Sequence, residues 1–300
     1  MLVSVIITTY SRTDYLVRAI ESVLNQTYEN LETIVVDDNG KGKHQEITKQ
    51  ILSKYEKVKL IAYDENKGAC YARNIGAKNA SGEIIMFLDD DDYYLKTKVA
   101  RQYQNFINTD IDACICAMRR IDENSDEIVS YENFPRGNDL KSFIISGNCY
   151  TLMIAIKKSV FESLGGFSET PRFQDKFFMY KFYKNKFKAQ LINEQLCVMV
   201  EHSGERISFG SVPKISKALN FLHQFEKEIF PLLNYKEKTM VKRRYYKNMA
   251  EIRTNSNIKI RLIGLLYLIK SNVLSIKNNF TKQKIFIRLI LSDKIYNKFK

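Results

Sequence analysis

Residues 83–94 read EIIMFLDDDDYY, a run of apolar side chains that ends in four consecutive aspartates, Asp89 to Asp92. Adjacent carboxylates repel one another, and packing gives no reason to gather them. Two readings compete. The group could be an acidic turn at the start of a helix, or it could await a cation. Four acids directly after a buried strand favour the cation. Hard oxygen ligands of this kind suit Mg²⁺ or Mn²⁺, which keep several waters and bridge substrate phosphates. Asp89 and Asp91, two apart at a strand end, can both face a crevice. A second acidic pair, Asp37 and Asp38, closes LETIVVDD at 31–38. In an open α/β sheet ligands bind beyond the carboxyl ends of the strands, so the two groups meet at one rim if their strands are neighbours.

The stretch NKGACYARNIGAKNASGE at 66–83 supplies the opposite charge. Gly68 opens a helix, with Arg73 and Asn74 about one turn inside it. A helix N-terminus and a guanidinium both favour phosphate. Taken alone, an Arg-Asn pair on a helix is more often a surface pair. The chain has no GxxxxGK(S/T) run, which excludes a P-loop, and no GxGxxG after its first strand.

The elements that must position these groups follow from hydrophobic period. Nearly continuous apolar runs at 3–7, 31–38, 58–63, 83–90 and 111–118 read as strands covered on both faces. Helical stretches at 13–25, 44–55, 69–80 and 95–108 separate them, the first with Thr13 or Ser11 as N-cap. Strand–helix repetition with short connections implies an α/β domain with a mostly parallel sheet. Further on, strands are expected at 149–157 and 189–200, and helices at 159–167, stopped by Gly165-Gly166, and at 173–186. After Pro213 the pattern is helical, with segments near 214–229, 235–254, 257–276 and 281–293.

The five cysteines are scattered without a CxxC pair, as in a reducing compartment, and Cys114 with Cys116 reads as core packing. No secretory signal and no apolar run of about 18 residues is present, so a cytosolic or membrane-surface protein is expected. The net charge of +13 is uneven: residues 211–300 carry 20 Lys+Arg against 5 Asp+Glu, while the remainder is slightly acidic.

The blocks VSVIITTYSR, LETIVVDDNG, NKGACYARNIGAKNASGEIIMFLDDDD and GGFSE, in this order over roughly residues 1–205, resemble the family-two nucleotide-sugar glycosyltransferases with the GT-A fold. The resemblance implies a catalytic domain over 1–210, with a nucleotide-sugar half at 1–120 and an acceptor half at 121–210. It implies that Thr8, Tyr10 and Asp38 hold the nucleotide base, usually uracil. Arg73 helps with base or diphosphate, and Asp89 and Asp90 with ribose and sugar phosphate. Asp89 and Asp91 bind the metal, Mn²⁺ or Mg²⁺, which His202 completes in some members. RFQDKFF at 172–178 places Asp175 as the catalytic base. The chain departs from the family pattern at Thr8, where proline is commoner, at Asn39-Gly40, where Gly-Ser is usual, and at Gln174, where glutamate usually precedes the base. The first two bear on which nucleotide is preferred. Without tryptophan the chain lacks the QxxRW motif of processive synthases, so a single inverting transfer is implied.

The basic region at 211–300 admits three readings: nucleic-acid binding, for which no module is present; contact with an anionic membrane face through segments such as 260–277 and 282–294; or a helical bundle with a solvated basic surface. Membrane contact suits a polyprenyl-linked saccharide acceptor in cell-surface polysaccharide synthesis, at the cytoplasmic face of the membrane. Two rivals stand outside the transferase class. A haloacid-dehalogenase-like phosphatase needs Thr or Val two residues after its second aspartate, and Tyr93 stands there. A non-catalytic nucleotide-sugar- or membrane-surface-binding protein with a degenerate site would be expected to lose Asp91 or Asp175, and both are present.

Overall fold

Strands β1 (Val3–Thr9), β2 (Leu31–Asp37), β3 (Val58–Ala62) and β4 (Ile84–Asp89) are parallel and lie in the order β3-β2-β1-β4. Helices α1 (Thr13–Leu24), α2 (Lys43–Leu52) and α3 (Ala69–Asn79) follow the first three strands. Three of the strands are apolar on both faces because helices cover both, and Ile6, Ile7, Ile34, Val35 and Phe87 have no exposed surface. The computed structural model describes residues 1–125, 128–130, 133–170, 172–202, 211–254, 258–272 and 289.

The strand order reverses at β1, so β2 and β4 flank it and are not direct neighbours. Their ends are still level, since Thr9 pairs with Asp37 and Thr8 with Asp89. A crevice at such a switch point is where α/β sheets bind ligands.

Beyond β4 the sheet becomes mixed. A two-residue strand β5 (Tyr93–Tyr94) precedes α4 (Lys98–Asn108), and β6 (Ala113–Asp122) pairs with the short β7 (Ile128–Ser130). Helix α5 (Leu140–Ser146) and a single 3-10 turn lead to β8 (Ile154–Lys157), antiparallel to both β4 and β6. Helices α6 (Lys158–Ser163) and α7 (Gln174–Lys184) and strand β9 (Ala189–Glu201), parallel to β6 and antiparallel to β5, complete it. Several expected boundaries move. The helix expected from 95 starts at Lys98 because β5 occupies the approach, and the strand expected over 149–157 is extended only from Ile154. The N-cap of α1 is Arg12, with neither Ser11 nor Thr13 capping.

Two compact units divide the chain: Met1–Glu169 with Gln174–Gly204, and Thr170–Phe173 with Glu205–Lys300. In the second, α8 (Val212–Glu228), α9 (Tyr235–Glu251) and α10 (Ile258–Asn272) form a helical group. Ile215, Leu219 and Met249 make one small core and Ala250, Leu268 and Leu289 another. Buried Glu226 accepts from Arg244 at 2.6 Å and pairs with His223, which stacks on Tyr245. The helix expected at 281–293 lies outside the described residues apart from Leu289.

Candidate active site

At the end of β4, the carboxylates of Asp89, Asp91 and Asp92 each offer an oxygen within 4.8 Å of the others. Charge of this density needs an internal counterweight, and the fold supplies arginines from three directions. Arg73, on α3, donates to Asp89 at 2.5 Å and has only 2% of its surface exposed. Arg12, in the loop after β1, pairs with Asp90 at 2.8 Å and with Asp91. Arg18, one turn into α1, donates to the Asp91 carbonyl at 2.6 Å and lies over the rings of Tyr15 and Tyr93.

The expected site residues sort by what they touch. Thr8 donates to Asp89 at 3.1 Å, and together with Arg73 it keeps that carboxyl below its ordinary range despite burial. Tyr10 leaves half its ring surface exposed at the rim. His202, just past β9, is buried, stacks on Tyr15 and lies 2.8 Å from Asp91 through Nε2. Asp89 and Asp91 are thus brought together with Asp92, and His202 joins them through Asp91 alone. Asp92 also accepts from the Val200 N–H at 3.0 Å, which ties the cluster to β9.

Asp90 and Asp38 are placed differently. Asp90 has no exposed surface and accepts from the Tyr10 N–H, holding the β1–α1 loop. Burial pushes its carboxyl up to about 7, with Arg12 pulling against and the Asp91 charge adding. Asp38 receives Tyr63 Oη and Lys67 N on one oxygen, and Asn66 Nδ2 and Gly68 N on the other, all within 2.9 Å. These four donors occupy its carboxylate and fix the loop that leads into α3. Gly68 is the α3 N-cap at φ +87°, a conformation open to glycine.

Asn74 is no surface residue. Its side chain donates to the Phe167 carbonyl and accepts from the Phe167 N–H, both at 2.9 Å, and so clamps the Gly165-Gly166 turn onto α3. Gly166 has φ +64°, and a Cβ there would lie 2.4 Å from Asn74 Oδ1. Lys181 of α7 bonds the Leu164 and Gly166 carbonyls at 2.8 Å from the other side. Asp175 lies in the first turn of that helix, where burial raises its pKa while the Lys176 N–H and the charges of Lys176 and Arg73 oppose the rise. Its charge also acts on Cys149 and Tyr150. Arg73 therefore stands electrostatically between Asp89 and Asp175. Its Nε and Nη1 are buried and have no hydrogen-bond partner among the described residues. Two such donor nitrogens are suited to an anion.

Sequence reading missed Arg12, Arg18 and Asp92. The signal for Arg12 was available: four clustered carboxylates require a nearby cation, and TTYSR places one just past β1. The donor set, carboxylate oxygens of Asp89, Asp91 and Asp92, fits a divalent cation that prefers oxygen, and His202 reaches it through Asp91.

The model of the family described as Glycosyl transferase family 2 matches residues 4–182. Glycosyltransferase GlyG of Streptococcus pneumoniae serotype 4 is 29% identical over 244 residues, 76% of this chain and 79% of that protein. The Escherichia coli protein UDP-Glc:alpha-D-GlcNAc-diphosphoundecaprenol beta-1,3-glucosyltransferase WfaP is 40% identical over 111 residues, 36% of this chain and 42% of its own length. Among solved structures, S. aureus TarS 1-349 in complex with UDP-GlcNAc aligns with all of this chain and 93% of its own, with a TM-score of 0.62 at 16% identity. Mannosyltransferase PcManGT from Pyrobaculum calidifontis, in complex with GDP-Man and Mn2+, gives a TM-score of 0.57 at 17% identity over 99% of this chain and 82% of its own. Both likenesses establish the GT-A fold.

Proposed function

Because the chain belongs to glycosyl transferase family 2, we propose that it moves one sugar from a nucleotide-diphosphate donor, a UDP-sugar, to a hydroxyl of a polyprenyl-linked saccharide, with inversion. The observation that carries this is the convergence of Arg73, with two buried donor nitrogens unpartnered among the described residues, on an aspartate cluster at the sheet's switch point. Tyr10 offers an exposed ring for the base. Arg73 receives phosphate oxygen, and Thr8 and Asp89 line the ribose side. Asp38 and Asp90 act through the loops that they hold. A divalent cation, Mn²⁺ or Mg²⁺, held by Asp89 and Asp91 with Asp92 and His202 beside them, supplies positive charge to the departing diphosphate. Asp175 takes the acceptor proton, for which a carboxylate pKa raised above the ordinary value is an advantage. One base acting once from the opposite face inverts the anomeric carbon.

In this reading residues 1–210 are catalytic, and 211–300 face an anionic membrane on the cytoplasmic side, within cell-surface polysaccharide synthesis. The acceptor named for WfaP, a diphosphoundecaprenol saccharide, supports the lipid-linked class. Support also comes from α10, where Leu262, Ile263, Leu266 and Ile269 are 47–60% exposed on one face, beside exposed Lys270. No helix among the described residues is long and apolar enough to cross a membrane. Flotation with vesicles of phosphatidylglycerol tests this part: no binding by the wild type refutes it, and binding that survives replacement of all four residues by serine removes α10 from the contact.

The catalytic reading is tested by nucleoside diphosphate release from a panel of UDP-, GDP- and dTDP-sugars, with Mn²⁺ and then with chelator. Metal-dependent release from one donor, lost in Asp91→Ala, is expected. Binding of a donor without turnover, even when lipid-linked acceptors are supplied, would instead make this a nucleotide-sugar-binding protein.

A further inference from the structure

Asp91 Oδ2 is held by Arg12 Nη1 and by His202 Nε2, the latter at 2.8 Å, while Arg12 Nη2 lies 2.8 Å from Asp90 Oδ1. One guanidinium therefore bridges two of the four aspartates. Burial works against its charge, yet Asp90 and Asp91, followed by Asp89 and Asp92, hold its pKa above the ordinary value. A divalent ion on Asp91 and a guanidinium on the same carboxylate repel each other, so the two cannot both keep their full contact.

Of the two arginines on the cluster's carboxylates, only Arg12 is built to leave. Arg73 has 2% of its side chain exposed and is stacked near Phe167, whereas Arg12 has 23% exposed. Arg12 is the N-cap of α1 but gives that helix no side-chain hydrogen bond. The backbone before it is anchored independently, by the Tyr10 N–H on Asp90 and by the Ser11 N–H on Asn39 at 2.6 Å. The guanidinium can thus swing away without releasing the loop, and the nearest anion to receive it is a diphosphate bound over the cluster.

We propose that Arg12 is a displaceable counter-cation of the aspartate cluster. It neutralises Asp90 and Asp91 in the free protein, yields Asp91 to the divalent ion, and moves to the donor's diphosphate. Metal and nucleotide then bind cooperatively, because each removes an obstacle to the other. The inference rests on the reading of Asp89 and Asp91 as metal ligands, and its test separates the two.

Mn²⁺ binding to the full chain, followed by loss of the free-ion electron paramagnetic resonance signal, is measured alone and with UDP, GDP or dTDP. Wild type is expected to bind Mn²⁺ weakly alone and at least about tenfold tighter with one of the diphosphates. R12Q is expected to bind Mn²⁺ alone about tenfold tighter than wild type and to gain less from the nucleotide, whereas R12K stays near wild type. Unchanged or weaker Mn²⁺ binding by folded R12Q, with binding abolished in D91N, overturns the Arg12 inference and leaves the metal site standing. Mn²⁺ binding by D91N equal to wild type overturns the metal site and the inference together. If R12Q does not fold, the wild type decides: Mn²⁺ affinity indifferent to all three diphosphates overturns the proposal.

Discussion

The two ends of the parallel half of the sheet handle carboxylates in opposite ways. At the amino ends of the strands stands Glu32, on β2. It accepts from Ser4 Oγ at 2.5 Å, from the Ser81 N–H and hydroxyl at 2.8 and 3.1 Å, and from Lys59 at 3.0 Å. One acid meets four donors. At the carboxyl ends, Asp89 to Asp92 crowd together under repulsion, and Asp90 is pushed up to about 7 while Glu32 is pulled down to about 2. Burial alone would raise both. What differs is the supply of donors. A charge whose lone pairs are filled by its own fold is architecture. A set of like charges concentrated at a switch point, with arginine N–H groups left over beside it, is a demand for a ligand.

That contrast is broken most directly at Asp175. Replacing it by asparagine keeps the shape of the first turn of α7 but removes the proton acceptor, and kcat should fall by about 10²–10⁴ with donor affinity little changed. Burial raises the Asp175 pKa, so the wild-type acid limb of kcat/KM should lie above the ordinary carboxylate range and activity should be lost as pH falls through it. In the asparagine variant that limb should disappear. An acid limb that persists in the variant assigns the base elsewhere.

Arg73→Lys sharpens it next. Lysine keeps the charge but not the fork of N–H groups, so Asp89 can still be paired while the two unpartnered donors are lost. Nucleoside diphosphate binding should weaken by roughly 10–100-fold, the scale of hydrogen bonds to a charged group. Calorimetric titration checks this, and a variant that binds as tightly as wild type removes Arg73 from the donor site.

The glycine turn tests how rigidly the rim is built. Gly165 and Gly166 both have positive φ, but a Cβ on Gly165 meets nothing within 4 Å. Alanine at 165 should therefore cost about 1 kcal/mol for its left-handed backbone. Alanine at 166 adds displacement of the Asn74 clamp, for a total of about 2–3 kcal/mol. Urea midpoints read both. Only the change at 166 should also weaken donor binding, since Asn74 neighbours Arg73 on α3.

These particulars show how far the sequence could be read. Strands β1, β2 and β4 and their terminal aspartates were legible, because an apolar run ending in acid is a local pattern. So was the glycine opening α3, whose backbone needs no partner to be recognised. The two-residue β5 was not, since it exists only through pairing with β9, more than 100 residues later. Asn74 looked like half of a surface pair because its clamp is 93 residues away. Asp38 and Asp90 accept from loop N–H groups, partners that no spacing rule names in advance. Arg12 was signalled by its charge just past β1, but its pairing with Asp90 and Asp91 depends on the β1–α1 loop meeting the end of β4.

Glu32 gives the smallest effect and the cleanest control. Its pKa is lowered from the ordinary 4.5 to about 2, burial notwithstanding, by the bonds from Ser4, Ser81 and Lys59. The sign follows from linkage: the unfolded chain binds the proton more readily, so the stabilisation is fully present above about pH 4.5 and is lost as pH falls towards 2. Screening by solvent at this partly exposed position brings the contribution to about 1 kcal/mol. Glu32→Gln should lower stability by that amount at neutral pH and flatten its decline between pH 4.5 and 2, as read by denaturant midpoints across pH. Turnover should not change, because among the described residues no buried donor at that end of the sheet is left without a partner. A loss of activity in this variant without loss of fold would mean that the amino end of the sheet communicates with the rim, and the division of labour between the two ends would fail.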